Sequence, residues 1–276
     1  MQLTSSYEQA FATELLDRYH WLEVRNAAAM VAASDPAAVA DIISVLTEFN
    51  LSVSYLMTAG GAKSALAADL DQAFRRLGWR ETHMSIETVT RLDKQPWRPG
   101  GETAVQTTTV PVTGDTHKLD NVQRRIAIDV EWHAKDGNLD RDISAFRALY
   151  DAGVIDAGIL ITRSYADVHY LAEWLGAELG WPHLDARGNE RKRFSTTTTT
   201  TMENTYKRLV RGDAGGCPVL AIGIGYGTYR PGLEFVDPDG VVRSAPRVPP
   251  LGLVEYWDLV GEGLDDRGSD AQPGTS

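Results

Sequence analysis

Arg125-Ile126-Ala127-Ile128-Asp129-Val130-Glu131-Trp132 reads as a β-strand with apolar groups along one side and two acids on the other. The even positions are all branched or aromatic, and side chains alternate faces along a strand, so Asp129 and Glu131 share the opposite face. Nine positions before Asp129 stands Asp120, following Thr116-His117-Lys118-Leu119. A bend near Asn121 would return its carboxylate to the same point. Hard oxygen donors gathered in this way suit Mg2+ or Mn2+, which leave room for a phosphate oxygen and an attacking water. The implied chemistry is phosphoryl transfer to water. Two acids on the solvated face of a half-exposed strand would give the same pattern, so the rest of the chain has to decide.

The order of elements around this strand is that of an α/β fold. After the turn His133-Ala134-Lys135-Asp136-Gly137-Asn138, a helix is expected over 140–151 with Ile143, Phe146, Leu149 and Tyr150 on one face. A buried strand over 154–162, helices near 166–179 and 202–211, and a strand over 219–224 continue the alternation of strand and helix. Upstream, alanine-rich segments near 7–20, 36–48 and 62–78 have helical spacing, the second after the cap-like Ser34-Asp35-Pro36. Residues 93–116, with Pro96, Pro99, Gly100, Gly101 and the run Thr107 to Val112, suggest a loop and then an edge strand. The expected organisation is one domain over 1–260, with a helical region at 1–80 and a catalytic core at 81–225. The Gly-, Asp- and Ser-rich end, 261–276, is expected to be disordered.

Composition restricts the partners. A chain of 276 residues, 43% hydrophobic, is large enough for a substantial core. No early stretch has the order of a signal peptide and no apolar run is long enough to span a bilayer, so a cytoplasmic location and no membrane partner are expected. The single cysteine, Cys217, lies in an apolar run and reads as a small core residue. A net charge of −11 argues against nucleic acid at first sight. Yet between Arg187 and Arg211 seven bases (Arg187, Arg191, Lys192, Arg193, Lys207, Arg208, Arg211) face two acids, Glu190 and Glu203, a local excess of five. A basic face can therefore coexist with an acidic remainder. Within it, Ser195 and six consecutive threonines read equally as a DNA-facing loop or as caps for the helix that follows.

Asp120, the eight-residue gap and Asp129-Val130-Glu131 resemble the active-site motif of PD-(D/E)XK restriction endonucleases of the BglII, BamHI and BstYI type. The continuations Trp132 to Asp136, Leu139 to Arg147 and Ile155 to Arg163 support the likeness, which covers roughly residues 75 to 225. Glu131 stands where the superfamily commonly has lysine; the BglII and BamHI branch uses glutamine or glutamate there. Asp129 departs in the other direction, standing where glutamate is more usual. The resemblance implies a mixed central sheet flanked by helices. It makes Asp120, Asp129 and the Val130 carbonyl the Mg2+ ligands, with Mn2+ able to substitute, and gives Glu131 the attacking water. In-line hydrolysis would leave a 5'-phosphate and a 3'-hydroxyl.

For double-stranded DNA as substrate, Lys118, Lys135, Arg163, Arg191, Lys192, Arg193, Lys207 and Arg208 are the candidate contacts. Arg163, at the end of a strand, is the candidate to read a base edge, since bidentate arginine to guanine is the commonest specific contact. The resemblance further implies a short palindromic site, a twofold homodimer with the amino-terminal helices as candidate interface, and a companion DNA methyltransferase. Three rivals remain open. They are a repair or modification-dependent nuclease of the same fold, a DNA-binding protein that does not cut, and a hydrolase of small phosphoesters.

Overall fold

The computed structural model describes residues 1–57, 64–132, 137–181, 194, 199–237 and 239–250. In chain order the elements begin with β1 (Leu3–Thr4), α1 (Tyr7–Ala10), α2 (Thr13–Leu16), β2 (Tyr19–Val24), α3 (Ala27–Ser34), α4 (Pro36–Glu48), α5 (Val53–Met57) and α6 (Ala65–Arg76). They continue with β3 (Arg80–Lys94), β4 (Gln106–Gln123), β5 (Ile126–Val130), α7 (Asn138–Asp151), β6 (Ala157–Arg163), α8 (Tyr165–Glu178), α9 (Met202–Arg211) and β7 (Val219–Ile224). A small hairpin of β8 (Glu234–Val236) and β9 (Val242–Ser244) follows.

Seven strands form one mixed sheet in the order β1-β2-β7-β6-β5-β4-β3, in which β5, β6 and β7 run parallel and the other neighbours antiparallel. The three parallel strands are buried along their whole length. This follows from helices on both faces. On one face Ile126, Ile128, Val130 and Trp132 join residues of α3, α4, α6 and α8; on the other Ala127 and Leu160 meet Leu139, Ile143, Phe146 and Leu149 of α7 and Leu209 of α9. The alternation read from 125–132 is thus the observed one, and it turns Asp129 and Glu131 toward α7.

Caps set the helix starts. Asp35 accepts from the Ala38 N–H with Pro36 in the first turn, Ser64 caps α6, Ser164 caps α8, and Thr201 accepts from the Asn204 N–H at the start of α9. The helices expected at 36–48 and 202–211 have those bounds in the structure. The segment 7–20 differs: two single turns give way at Tyr19 to β2, whose Trp21 and Leu22 pack on opposite faces of the sheet. The first eighty residues therefore contribute strands to the central sheet as well as helices. Helices α4 and α6 turn Ile42, Val45, Leu46, Leu66, Leu70 and Phe74 onto that sheet, which uses the apolar faces proposed for an interface.

The stretch from 80 to 123 departs most from expectation. The expected loop is present over 95–105, but the strand after it is not at the edge: β4 lies between β3 and β5 and forms a long antiparallel hairpin with β3, with Thr90 opposite Val110 and Lys94 opposite Gln106. Met84 and Ile86 still pack on the core. From Glu87 to Lys94 every residue is exposed, and at about 3.4 Å per residue the ribbon extends roughly 25 Å beyond the body.

Candidate active site at the head of the β4–β5 hairpin

Strands β4 and β5 are joined by a tight reversal. Asn121 pairs with Ile128, Val122 with Ala127 and Gln123 with Ile126, so the chain turns at Arg124 and Arg125, Arg124 having φ of 48°. Arg124 is ion-paired with Asp35, and Arg125 holds Asp156 at 2.6 Å and the Gly153 carbonyl at 2.7 Å. The bend expected near Asn121 is thus displaced: Asn121 continues the strand and donates to Asp71 Oδ1 of α6 at 2.6 Å. Asp120 is brought beside Asp129 by strand pairing, and its backbone N–H donates to Asp129 Oδ1 at 2.8 Å.

Glu131 lies one residue past β5. Its N–H donates to the Ile161 carbonyl at 2.8 Å, and its own carbonyl accepts from Thr162 Oγ1 at 2.9 Å, which fixes the backbone there. A fourth carboxyl, that of Asp142 on α7, meets this pair from the neighbouring helix. Burial first, and then Asp142, pushes Asp129 well above the ordinary carboxylate range. Burial likewise lifts Glu131 to about 9, aided by the surrounding acids, so that at neutral pH Glu131 keeps its proton and donates it to Asp142. Asp142 is itself raised by burial, with the Glu131 hydrogen bond and Arg141 opposing. Arg141 donates through Nε and Nη2 to Asp142 Oδ1 at 3.1 and 2.9 Å and stands 3.9 Å from Glu131.

Carboxyls forced together in a dry site are held there by something stronger. Leu139, Ile143, Phe146 and Leu149 of α7 are almost fully buried, each contributing roughly 1.5–3 kcal/mol. Together they offset the several kcal/mol that burying Asp142 costs. The sequence carried a signal for Asp142: with Leu139 three before it and Phe146 four after, it falls on the apolar stripe of its own helix, where an acid is out of place. Neither Asp142 nor Arg141 received a role from the sequence.

Asp120, Asp129, Glu131 and the Val130 carbonyl are all hard oxygen donors, and Asp129 Oδ2 is buried without a hydrogen bond. Such a donor set fits a divalent cation. Among the described residues no three acidic, histidine or cysteine side chains are already placed to hold an ion, so the fit lies in donor chemistry and not in a preformed cage.

The candidate DNA contacts scatter. Lys118, about half exposed, is paired with Glu81 of β3 at 3.1 Å. Lys207 is exposed on α9, whereas Arg208 grips Asp140 at 2.6 and 2.8 Å and ties α9 to α7. Arg163 corrects its sequence reading. Its residue is fully buried, Nη2 donates to the Trp132 carbonyl, and the guanidinium lies 4.9 Å from the Trp132 ring centroid. Burial lowers its pKa to about 10. A side chain so enclosed props the strand end and does not reach a base edge. Lys135, Arg191, Lys192 and Arg193 lie outside the described residues, as does the segment 261–276. Cys217 is buried, its thiol pushed up to about 12, in keeping with a core residue. Thr201 caps α9, as one of the two readings of the threonine run had it.

No individual curated protein matches the chain. The family of BglII/BglIII restriction endonucleases does, over residues 19–224, about three quarters of the sequence and every strand from β2 to β7. Enzymes of this family generally use a divalent metal ion. Among the described residues no single helix is long and apolar enough to cross a membrane. Motif, sheet and family match converge: the chain belongs to the BglII/BglIII restriction endonuclease family and is a type II endodeoxyribonuclease whose substrate is DNA.

Proposed function

We propose that this enzyme hydrolyses both strands of a short palindromic DNA site with Mg2+, or with Mn2+ in its place, leaving 5'-phosphate and 3'-hydroxyl ends. The observation that carries the reading is the convergence of strand pairing and alternation on one point, with Asp120 bound through its N–H to Asp129 and Glu131 on the same face. Asp120, Asp129 and the Val130 carbonyl would hold the cation. When bound, the metal ion neutralises charge on the reacting phosphate.

The chain's own groups account for the remainder. Glu131, at the open end of the strand, orients the attacking water in line with the leaving 3'-oxygen and, in its ionised form, accepts its proton. Trp132, propped by Arg163, closes the opposite side of the strand against water. Lys118 and Lys207 supply phosphate contacts, and Lys135 and the basic residues 191–193 are assigned the same role from the sequence alone. A palindromic target implies a twofold homodimer with one site per strand, and a companion methyltransferase to protect host DNA in the cytoplasm.

The test is incubation of unmethylated phage DNA with wild-type protein and Asp120→Ala, in Mg2+ and in EDTA. Discrete Mg2+-dependent fragments lost in the variant are expected. Intact DNA under every condition, with the protein folded and modified DNA also tried, would overturn the reading.

A further inference from the structure

The active site presents a charge problem. Asp120, Asp129, Glu131 and Asp142 bring four carboxyls to the place where a phosphodiester anion has to arrive, and each of them that ionises repels it. Among the described residues, Arg141 is a basic side chain that acts on these acids from close range. Arg141 reaches Asp142 at 2.9 Å and Glu131 at 3.9 Å, and its charge is felt at Asp129.

Its posture is unusual. Consecutive helix residues point about 100° apart and do not face each other, yet Arg141 binds the residue next to it through two of its nitrogens. Asp142 points inward to β5, with only 3% of its side chain exposed, so the guanidinium folds back over the strand end to reach it. The remainder of Arg141 is open: 63% of the side chain is exposed. A planar fork anchored along one edge by a buried carboxylate and open along the other is prearranged for a phosphate oxygen.

The geometry points to Arg141 as a catalytic residue that contacts the scissile phosphate, with Asp142 positioning it. This inference rests on the proposed DNA-hydrolysing reading of the same site. Among the described residues, Arg141 supplies the fixed positive charge beside the acids of this strand end. It stabilises charge on the phosphoryl oxygens during displacement, and no proton leaves it at any stage. Asp142 has a double hold, accepting from Glu131 on one side and Arg141 on the other, so the group that orients water and the group that meets phosphate are set by one carboxylate.

The experiment follows cleavage of unmethylated phage DNA in Mg2+ with enzyme in excess, for wild type, Arg141→Gln, Arg141→Lys and Arg141→Ala, together with DNA affinity in Ca2+. Because Arg141 pairs with the buried Asp142, each variant is also melted, and rates are compared at a temperature where all of them are folded. Arg141→Gln should slow the cleavage step about 100-fold while affinity changes far less. Arg141→Lys should be intermediate, and added guanidinium ion at non-denaturing concentration should restore part of the rate to Arg141→Ala. A structural role would show no such rescue. If wild type cuts but Arg141→Gln cuts at the same rate, or loses affinity alone, this inference fails and the nuclease reading stands. If wild type cuts no DNA, both fail.

Discussion

The Asp120 N–H donates to the carboxylate of Asp129, so one ligand candidate is held by the backbone of the other. That bond keeps Asp129 Oδ1 occupied and leaves Oδ2 for the reaction centre. Asp129→Asn should lower cleavage more than about 100-fold. The same change removes charge from a crowd of acids, so stability should be unchanged or rise by about 1 kcal/mol. Urea denaturation beside a cleavage assay checks both, and loss of stability would contradict the burial argument.

The pH dependence has a definite sign. Glu131 titrates near 4.5 when unfolded and near 9 in the fold, and Asp129 and Asp142 are raised as well. Across that window the folded state binds more protons. The stabilisation is complete below the unfolded value and is lost as pH rises through about 9. Melting in EDTA should therefore occur at lower temperature near pH 9 than near pH 6, and Glu131→Gln should flatten the slope. Added Mg2+ should raise the melting temperature more at the higher pH, because cation and proton compete for the same oxygens.

Arg163 should behave as a support. Its charge is enclosed, with Nη2 donating to the Trp132 carbonyl and the guanidinium against the Trp132 ring. Arg163→Met should destabilise the protein by about 2–3 kcal/mol. Fragments cut by the surviving enzyme should map to the same sites as those of wild type. A relaxed cleavage pattern with unchanged stability would restore the base-reading role.

Gly158 controls how closely α7 approaches the sheet. A Cβ there would lie 2.4 Å from Phe146 Cγ, so Gly158→Ala must push the helix away. The expected cost is about 1–3 kcal/mol, accompanied by slower cleavage, since Asp142 and Arg141 travel with α7. Phe146→Leu in the same chain should recover part of both, as a double-mutant cycle would show.

Period-two alternation made the catalytic strand legible because Asp129 in β5 and Glu131 just past it are acids that share one face of an otherwise apolar run. Helices 36–48 and 202–211 were legible through their caps. Strand β2 was not: Tyr19-His20-Trp21-Leu22-Glu23-Val24 is nearly all buried in the sheet, and with His20 and Glu23 on opposite faces it shows no alternation of apolar and polar sides. The extent of β3 and β4 was hidden because their outer halves pack on nothing and leave no periodic mark. Arg163 misled for a related reason. A basic residue after a strand reads as surface, and only the position of Trp132, brought alongside by the parallel pairing of β5 and β6, shows it to be interior.

The projecting ribbon leaves the outer margin of β3 without a neighbouring strand, and a row of unsatisfied amides and carbonyls invites other chains to add on. Glu81, Glu87, Arg91, Asp93 and Lys94 stud that margin with charges of both signs, and irregularities at Arg80/Thr82 and Ser85/Glu87 interrupt its pairing register. A stacked ladder of such ribbons would set each charge against its own copy. Charge and broken register thus oppose the addition of a second chain to this exposed edge.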